Sequence, residues 1–379
     1  MLSESKIIVP LSSPDISELE ISYVSDVLRT PNLSLGPKLV EFEKMFAEYI
    51  GTAHAIATNS GTTALHLIIR SLDIKDGDEV ITTPFSFIAT SNCILYDRAR
   101  PVFVDINPLT LNIDVSRIAE SITQKTKAIL AVDVFGYPAQ WDILEQITEE
   151  HNLKLIEDSC EALGAEYMGK KAGVFGDAAV FSFYPNKQMT TGEGGMITTN
   201  DADIAHLCRT MRNHGRDRDD RWQSQVMLGY NYRLSDINCA IGIAQMKRIE
   251  TLLSKREHVS QMYRERLESF SDLRIPYSSP GVNRSWFVYV VILEDIYTGD
   301  HRNRLLDELK ARGIGCSDYF QPIHLKQFYI EMFGYKKGDF PVAEHISERT
   351  VALPFHSNLS ENEIDFVVEN LKDAMSKMR

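Results

Sequence analysis

Between about residues 53 and 200, short β-rich runs alternate with longer amphipathic ones, and this alternation constrains the fold more than any other feature of the 379-residue chain. Candidate strands fall at 53–58, 79–83, 101–105, 128–134, 153–158, 178–183 and 196–199, several of them continuously apolar, as strands covered on both faces are. The segments between carry helical spacing, as in Leu65, Ile68, Ile69 and Leu72. Such alternation predicts a mostly parallel seven-stranded sheet between helices. One connection differs. Phe183 to Met196 leaves about a dozen residues that include Pro185, Gly192, Gly194 and Gly195, too few and too hostile to a helix for a crossover, so the last strand is expected to run antiparallel to its predecessor.

After Asn200 the pattern predicts a helix, a polar loop at 216–224, and a long helix over 234–256 linking to a second part. From Arg274 onward it reads as α+β: a strand within 286–293, a helix over 302–312 ending at Gly313, and a closing helix over 361–375. The expected division is a large domain, 1–250, and a small C-terminal domain, 251–379.

Charge and cysteine usage narrow the function. Forty Lys plus Arg against 53 Asp plus Glu give a net charge of -13, which repels nucleic acid and anionic lipid. The start, MLSESKIIVP, lacks a basic segment followed by a long apolar one, and no apolar run approaches the roughly 18 residues of a membrane helix. Five cysteines, odd in number, dispersed and without a C-x-x-C pair, fit reduced thiols and no zinc or disulfide framework. These features predict a cytoplasmic protein without a structural metal.

Three segments could carry chemistry. Asn59-Ser60-Gly61-Thr62-Thr63 stands between a strand and a helix, where free N–H groups and the helix dipole favour an anion; the same residues would also serve as a simple cap with a turn glycine. Asp158 closes a strand at a carboxyl end of the sheet, where open α/β folds build ligand crevices, although it could equally cap the next turn. Lys187 follows another strand end in FSFYPNKQMTTGEGG (181–195), on a loop that would hold it inward, where burial would lower its pKa and make it a nucleophile toward a carbonyl, although taken alone it reads more often as a solvated surface charge. An anion seat, a carboxylate and a lysine at the strand ends of one sheet are what pyridoxal phosphate needs: a seat for its phosphate, a Schiff-base amine, and an acid that keeps its ring nitrogen protonated. The glycines spell no dinucleotide fingerprint, because Ile197 stands where G-x-G-x-x-G needs its third glycine, and no P-loop motif is present.

From about residue 10 to its end the chain resembles the DegT/DnrJ/EryC1/StrS family of fold-type I pyridoxal-phosphate enzymes, mostly nucleotide-sugar aminotransferases. The matching stretches are LSLGPKLVEFE (33–43), NSGTTALHL (59–67), GDEVITTPFSFIAT (77–90), 157–195, GYNYRLSDINCAIGIAQ (229–245) and ALPF (352–355). The resemblance implies that Lys187 forms the Schiff base and shuttles the proton, and that Asp158 pairs with the ring nitrogen. It further implies that Gly61, Thr62 and Ser182 hold the phosphate and Phe87 stacks on the ring, and that Asn231 reaches the phosphate of a neighbouring subunit in a homodimer with shared active sites. Phe87 would equally serve as core, and Asn231 as a turn cap. One position departs from the common pattern: many relatives have Gln or His three residues after the ring-pairing acid, and this chain has Glu161, as in perosamine-synthase-like members. Glutamate donates a hydrogen bond there only when protonated, and a nearby anion and burial would raise its pKa.

The resemblance thus implies transfer of an amino group from an amino acid, L-glutamate first among candidates, to a keto group of a nucleotide-linked deoxysugar. Two phosphates on such a substrate require local cations or donors. Candidates are Lys38, Arg212, His214, Arg233, Tyr319 and His324. Other readings are a non-catalytic regulator that kept the fold, a nucleotide-binding oxidoreductase, and a dehydratase of the same family; the dehydratases carry His in place of the lysine, so Lys187 speaks against the last.

Overall fold

The computed structural model describes residues 8–217 and 224–378, so most of the polar loop expected at 216–224 and the first seven residues lie outside the described part. Seven strands form the central sheet: β1 (His54–Thr58), β2 (Glu79–Thr82), β3 (Arg100–Phe103), β4 (Thr126–Val132), β5 (Lys154–Asp158), β6 (Ala178–Ser182) and β7 (Gly195–Thr199). Their spatial order is β1-β7-β6-β5-β4-β2-β3. β2 to β6 pair in parallel, and β7 alone runs against both its neighbours, as the short glycine-rich connection demands. The strands are apolar throughout because both faces are covered. In β4, Ala128, Leu130 and Val132 pack with the helix Gly61–Ser71, and Ile129 and Ala131 pack on the other side with Trp141 and Leu144.

The reversal of β7 matters for function. β1 and β6 end at the edge where β7 begins, so that Gly195 faces Thr58 on one side and Ser182 on the other. A Cβ at Gly195 would stand 2.5 Å from the Ser60 carbonyl oxygen and 2.7 Å from the Gly61 nitrogen. Only glycine lets the three segments converge there.

The expected helix over 234–256 is two helices. Asp236–Lys247 starts on Ser235, whose hydroxyl accepts from the Asn238 N–H, and Ile249–Leu267 follows it, with Arg248 leaving helical geometry between them (φ -111°, ψ 5°). Arg248 is held at that break by Asp15, at 2.6 Å, and Glu20, at 2.9 Å, contacts that its periodicity does not reveal. Along the second helix the core partners change. Ile249 and Leu252 pack with residues of β1 and the helix Pro37–Ile50, whereas Val259, Met262, Tyr263 and Leu267 pack with the C-terminal strand Tyr289–Leu293 and the helix Glu361–Ser376. We propose that the two expected domains meet along this helix. The C-terminal part is α+β: Leu273–Arg274, Tyr289–Leu293 and Thr350–Leu353 form an antiparallel sheet, and Gly299–Ala311 ends before Gly313, whose φ of +80° needs glycine. The strand-like run expected over 286–293 pairs only from Tyr289 to Leu293; before it, Phe287 and Val288 are buried in the core cluster of the large sheet. Among the described residues no helix is long and apolar enough to cross a membrane, and the five cysteines are unbridged.

Candidate active site

At the carboxyl edge of the sheet a cavity of about 530 Å³ opens between the two parts of the chain. Three kinds of segment build its wall. The helix Gly61–Ser71 points its N-terminus inward; Ser60 caps it through Thr63 N (3.1 Å), and the first intrahelical bond is Ala64 N to Ser60 O, which leaves the N–H groups of Gly61 and Thr62 facing the cavity. A Cβ at Gly61 would stand 3.0 Å from the Ser182 Cβ and 3.1 Å from the Cys160 sulfur, so glycine keeps this corner open. β5 ends in Asp158, which is 4% exposed. Its Oδ2 accepts from Thr90 Oγ1 at 2.7 Å, and Thr90 in turn lies 2.9 Å from the Ser86 hydroxyl; its Oδ1 accepts from Cys160 N at 3.2 Å.

The third segment, 183–194, has no regular structure and carries Lys187. Its amine lies 3.9 Å from the centroid of the Phe287 ring and 3.6 Å from Glu161 Oε1. Glu161 Oε2 accepts from Phe135 N at 2.8 Å. Burial pushes the Glu161 carboxyl above its ordinary pKa and Asp158 adds to the effect, while Lys187 and the Phe135 N–H act in the opposite sense without cancelling it.

Just past the end of β5, Ser159 Oγ stands 2.6 Å from both Asp133 Oδ2 and Glu157 Oε1, all three fully buried. One hydroxyl has one proton to donate, so two contacts of this length require a proton on one of the two carboxyls. Burial drives both upward, Asp133 to about 7.

The structure brings Gly61, Thr62, Phe87, Asp158, Glu161, Ser182, Lys187 and Tyr319 to one cavity. Phe87, at 61% exposure, stands at its mouth and is not core. His324 is not there: it is 0% exposed, its Nε2 is 3.0 Å from Glu344 Oε1 and its ring packs on Phe340, so a desolvated imidazole locked to a carboxylate pins the segment 334–344 and does not face substrate. Arg233 is also elsewhere, donating to Asn213 Oδ1 at 3.0 Å, and Asn231 is exposed beside it, outside the cavity of its own chain. Arg212 is consumed inside by Glu43 and the Ala57 carbonyl, Lys38 pairs with Glu41 at 2.7 Å, and His214 is exposed away from the cavity. Thr90, Phe287, Phe320 and Asn186 line or complete the site without having been singled out from the sequence. Thr90 had a signal, since it stands three residues after Phe87 in one matching stretch; Phe287 had none, because it arrives from a hundred residues away.

The sequence pattern of the DegT/DnrJ/EryC1/StrS aminotransferase family matches residues 14–372. The chain is 38% identical to the GDP-perosamine synthase of Caulobacter vibrioides, covering 97% of this chain and 98% of that protein. Among solved structures it is similar to PseC of Helicobacter pylori, an aminotransferase involved in the biosynthesis of pseudoaminic acid, with a TM-score of 0.93, 30% identity and coverage of 97% and 99%. It is likewise similar to the PLP-form of Spr1654, a putative sugar aminotransferase of Streptococcus pneumoniae, with a TM-score of 0.93, 29% identity and coverage of 98% and 99%.

Proposed function

The chain belongs to the DegT/DnrJ/EryC1/StrS aminotransferase family, and from that membership we propose that it moves an amino group from an amino acid, L-glutamate first, to a keto group of a nucleotide-linked deoxysugar. It is a pyridoxal-phosphate-dependent sugar aminotransferase. One observation carries the residue assignment: a lysine amine, a buried carboxylate and a helix N-terminus share a single cavity. That donor set fits the cofactor, because the corner kept open by Gly61 presents the N–H groups of Gly61 and Thr62 with the Ser182 hydroxyl to an anion, and Asp158 lies on the cavity floor.

Pyridoxal phosphate, when bound, supplies a carbonyl for amines and a ring that takes up the electron pair left by a breaking C–H bond. In this reading the Gly61 and Thr62 N–H groups with Ser182 bind the phosphate, and Phe87 covers the ring from the cavity mouth. Asp158, oriented by Thr90, holds a proton at the ring nitrogen. Lys187 Nζ would take the proton from the donor's α-carbon and deliver it to the cofactor's carbonyl-derived carbon, and would do the reverse for the sugar carbon. Glu161, whose pKa burial raises, would donate to the cofactor's phenolic oxygen in its protonated form. Tyr319 lies where a substrate would enter. The exposed Asn231, off its own cavity, supports a homodimer in which it reaches a second copy's phosphate seat. The unbridged cysteines support the cytoplasm as its compartment.

Purified protein should be yellow and lose its colour on addition of glutamate, and borohydride reduction with peptide mapping should place the cofactor on Lys187. A panel of nucleotide ketosugars, started with a GDP-linked one because a GDP-perosamine synthase is among the relatives, then reads the acceptor. A protein that stays colourless under reconstitution, or a label on another lysine, overturns the assignment.

A further inference from the structure

Arg256, in the helix Ile249–Leu267, is 2% exposed and forms no ion pair among the described residues. A guanidinium so placed is costly, since no carboxylate pairs with it: Asp15 acts on it only through its field, the Phe355 ring centroid lies 5.7 Å from its Cζ, and hydrogen-bonding dipoles meet the rest of its charge; desolvation lowers its pKa to about 10. Those dipoles are four backbone carbonyls from two separate segments. Nη2 donates to Lys187 O at 2.7 Å and Asn186 O at 3.4 Å, and Nη1 to Trp286 O and Phe287 O, both at 3.3 Å. The first pair belongs to the loop that carries the cavity's amine, the second to the segment whose Phe287 ring lies 3.9 Å from that amine. Gln188 repeats the tie from the other side: its Nε2 donates to Ser285 Oγ at 3.1 Å and to Glu161 O at 2.5 Å, so the residue after Lys187 is fastened to the chain entering Phe287 and to the residue whose carboxylate faces Nζ.

We propose that Arg256 is a positioning residue for Lys187: its planar fork fixes the register between residues 186–187 and 286–287, and with it the place of Nζ between the Phe287 face and Glu161. The inference deepens the reading above and rests on it. Only a rigid fork with donors on two edges spans both carbonyl pairs, so lysine is not equivalent there. The guanidinium touches neither the cavity nor anything bound in it, and acts through the backbone of Lys187.

The test uses the cofactor-loaded full chain and the variants Arg256→Met and Arg256→Lys, with borohydride labelling of Lys187 as the count of competent sites. Per labelled site, Arg256→Met should lower kcat for the glutamate half-reaction by about 30-fold with KM within about twofold, as misplacement of a reacting atom by a fraction of an ångström does. Amide exchange in residues 184–191 should quicken by about tenfold or more while that in Glu361–Ser376 stays unchanged. Arg256→Lys should fall between Arg256→Met and the unaltered chain, and it decides alone, by the same readouts, if the methionine variant does not fold. Exchange that rises evenly over the chain, or an unchanged kcat per labelled site, overturns the proposal and makes Arg256 a packing residue only. If Lys187 of the unaltered chain takes no label, the site assignment fails first, and that outcome is distinct from labelled variants that behave as the unaltered protein does.

Discussion

Asp158 and Lys187 face one cavity, but the chain around them is held by different means. Asp158 ends β5, whose backbone is hydrogen-bonded to β4 on one side and β6 on the other, and the adjacent proposed phosphate seat is the start of a regular helix. Lys187 stands in the middle of a segment without a ladder. That segment keeps three backbone bonds, Phe183 N to Gly194 O, Lys187 N to Tyr184 O and Thr191 N to Phe183 O, and is otherwise tied by side chains reaching for carbonyls: Thr190 Oγ1 to Phe183 O at 2.9 Å, Asn238 Nδ2 to Thr191 O at 2.6 Å, Gln188 to Glu161 O, and Arg256 to Lys187 O. A ladder holds a strand end through many weak, redundant bonds, so the loss of one side chain leaves the backbone in place. A loop with a handful of backbone bonds and a few side-chain ties has much less reserve. The amine proposed to move protons therefore sits on the half of the site that single substitutions displace more easily.

The largest effect tests the half held by side chains. Lys187→Ala should abolish borohydride labelling and lower turnover by at least about 10³-fold, because nucleophile and proton carrier are lost together. A variant that keeps labelled cofactor and more than a tenth of its turnover would move the chemistry to another residue. On the ladder side, Asp158→Asn should cost about 10²-fold in kcat, since an amide keeps the Thr90 contact but cannot stabilise a protonated ring nitrogen. The far-ultraviolet spectrum and melting point should stay close to those of the unaltered chain, because β5 is held by its neighbours.

A third test probes how the ladder side tolerates its own buried charge. Asp133 shares Ser159 with Glu157 and is pushed to about 7, whereas in the unfolded chain it ionises near its ordinary value of 3.8. Between those values the folded protein holds a proton that the unfolded chain has released, so rising pH through this window favours unfolding. Asn at 133 can accept from Ala139 N and Trp141 Nε1 as Asp does, and donate to Ser159 as the protonated acid does. Asp133→Asn should therefore match the unaltered protein near pH 4 and gain on it by roughly 1 kcal/mol per pH unit up to about pH 7, read from denaturant midpoints across that range. A gain that is flat with pH would mean the carboxyl is ionised throughout.

The same division separates what was legible in the sequence from what was not. The parallel sheet, the reversal at β7, the helix N-terminus at Gly61 and the carboxylate at Asp158 follow from periodicity and from glycine placement, because ladders and caps are local patterns that repeat along the chain. Lys187 was legible through its neighbours, small and glycine residues just past a strand end. What holds Lys187 was not: Arg256, Gln188 and Phe287 touch it from distant segments, and on a helix pattern Arg256 is indistinguishable from a solvated arginine. His324 failed for a related reason. A histidine in a loop reads as available until Glu344 and Phe340 are seen to close around it. The helix over 234–256 broke at Arg248 because two acids from the start of the chain capture that side chain.

The smallest effect sharpens the comparison most. Ser182 ends β6 with its backbone paired to Gly195, so Ser182→Ala removes a hydroxyl from the phosphate corner without shifting the segment that carries it. One hydrogen bond to an anion contributes about 1.5 kcal/mol, or roughly tenfold in cofactor Kd. Once pyridoxal phosphate saturates the variant, kcat should stay within about twofold, because neither Lys187 nor its ties have moved. Arg256→Met should do the opposite, leaving cofactor affinity nearly unchanged and lowering turnover. Fluorescence titration of cofactor beside half-reaction kinetics separates the two; if Ser182→Ala lowers kcat at saturation as much as Arg256→Met does, the ladder does not insulate its half of the site and the contrast between the two walls fails.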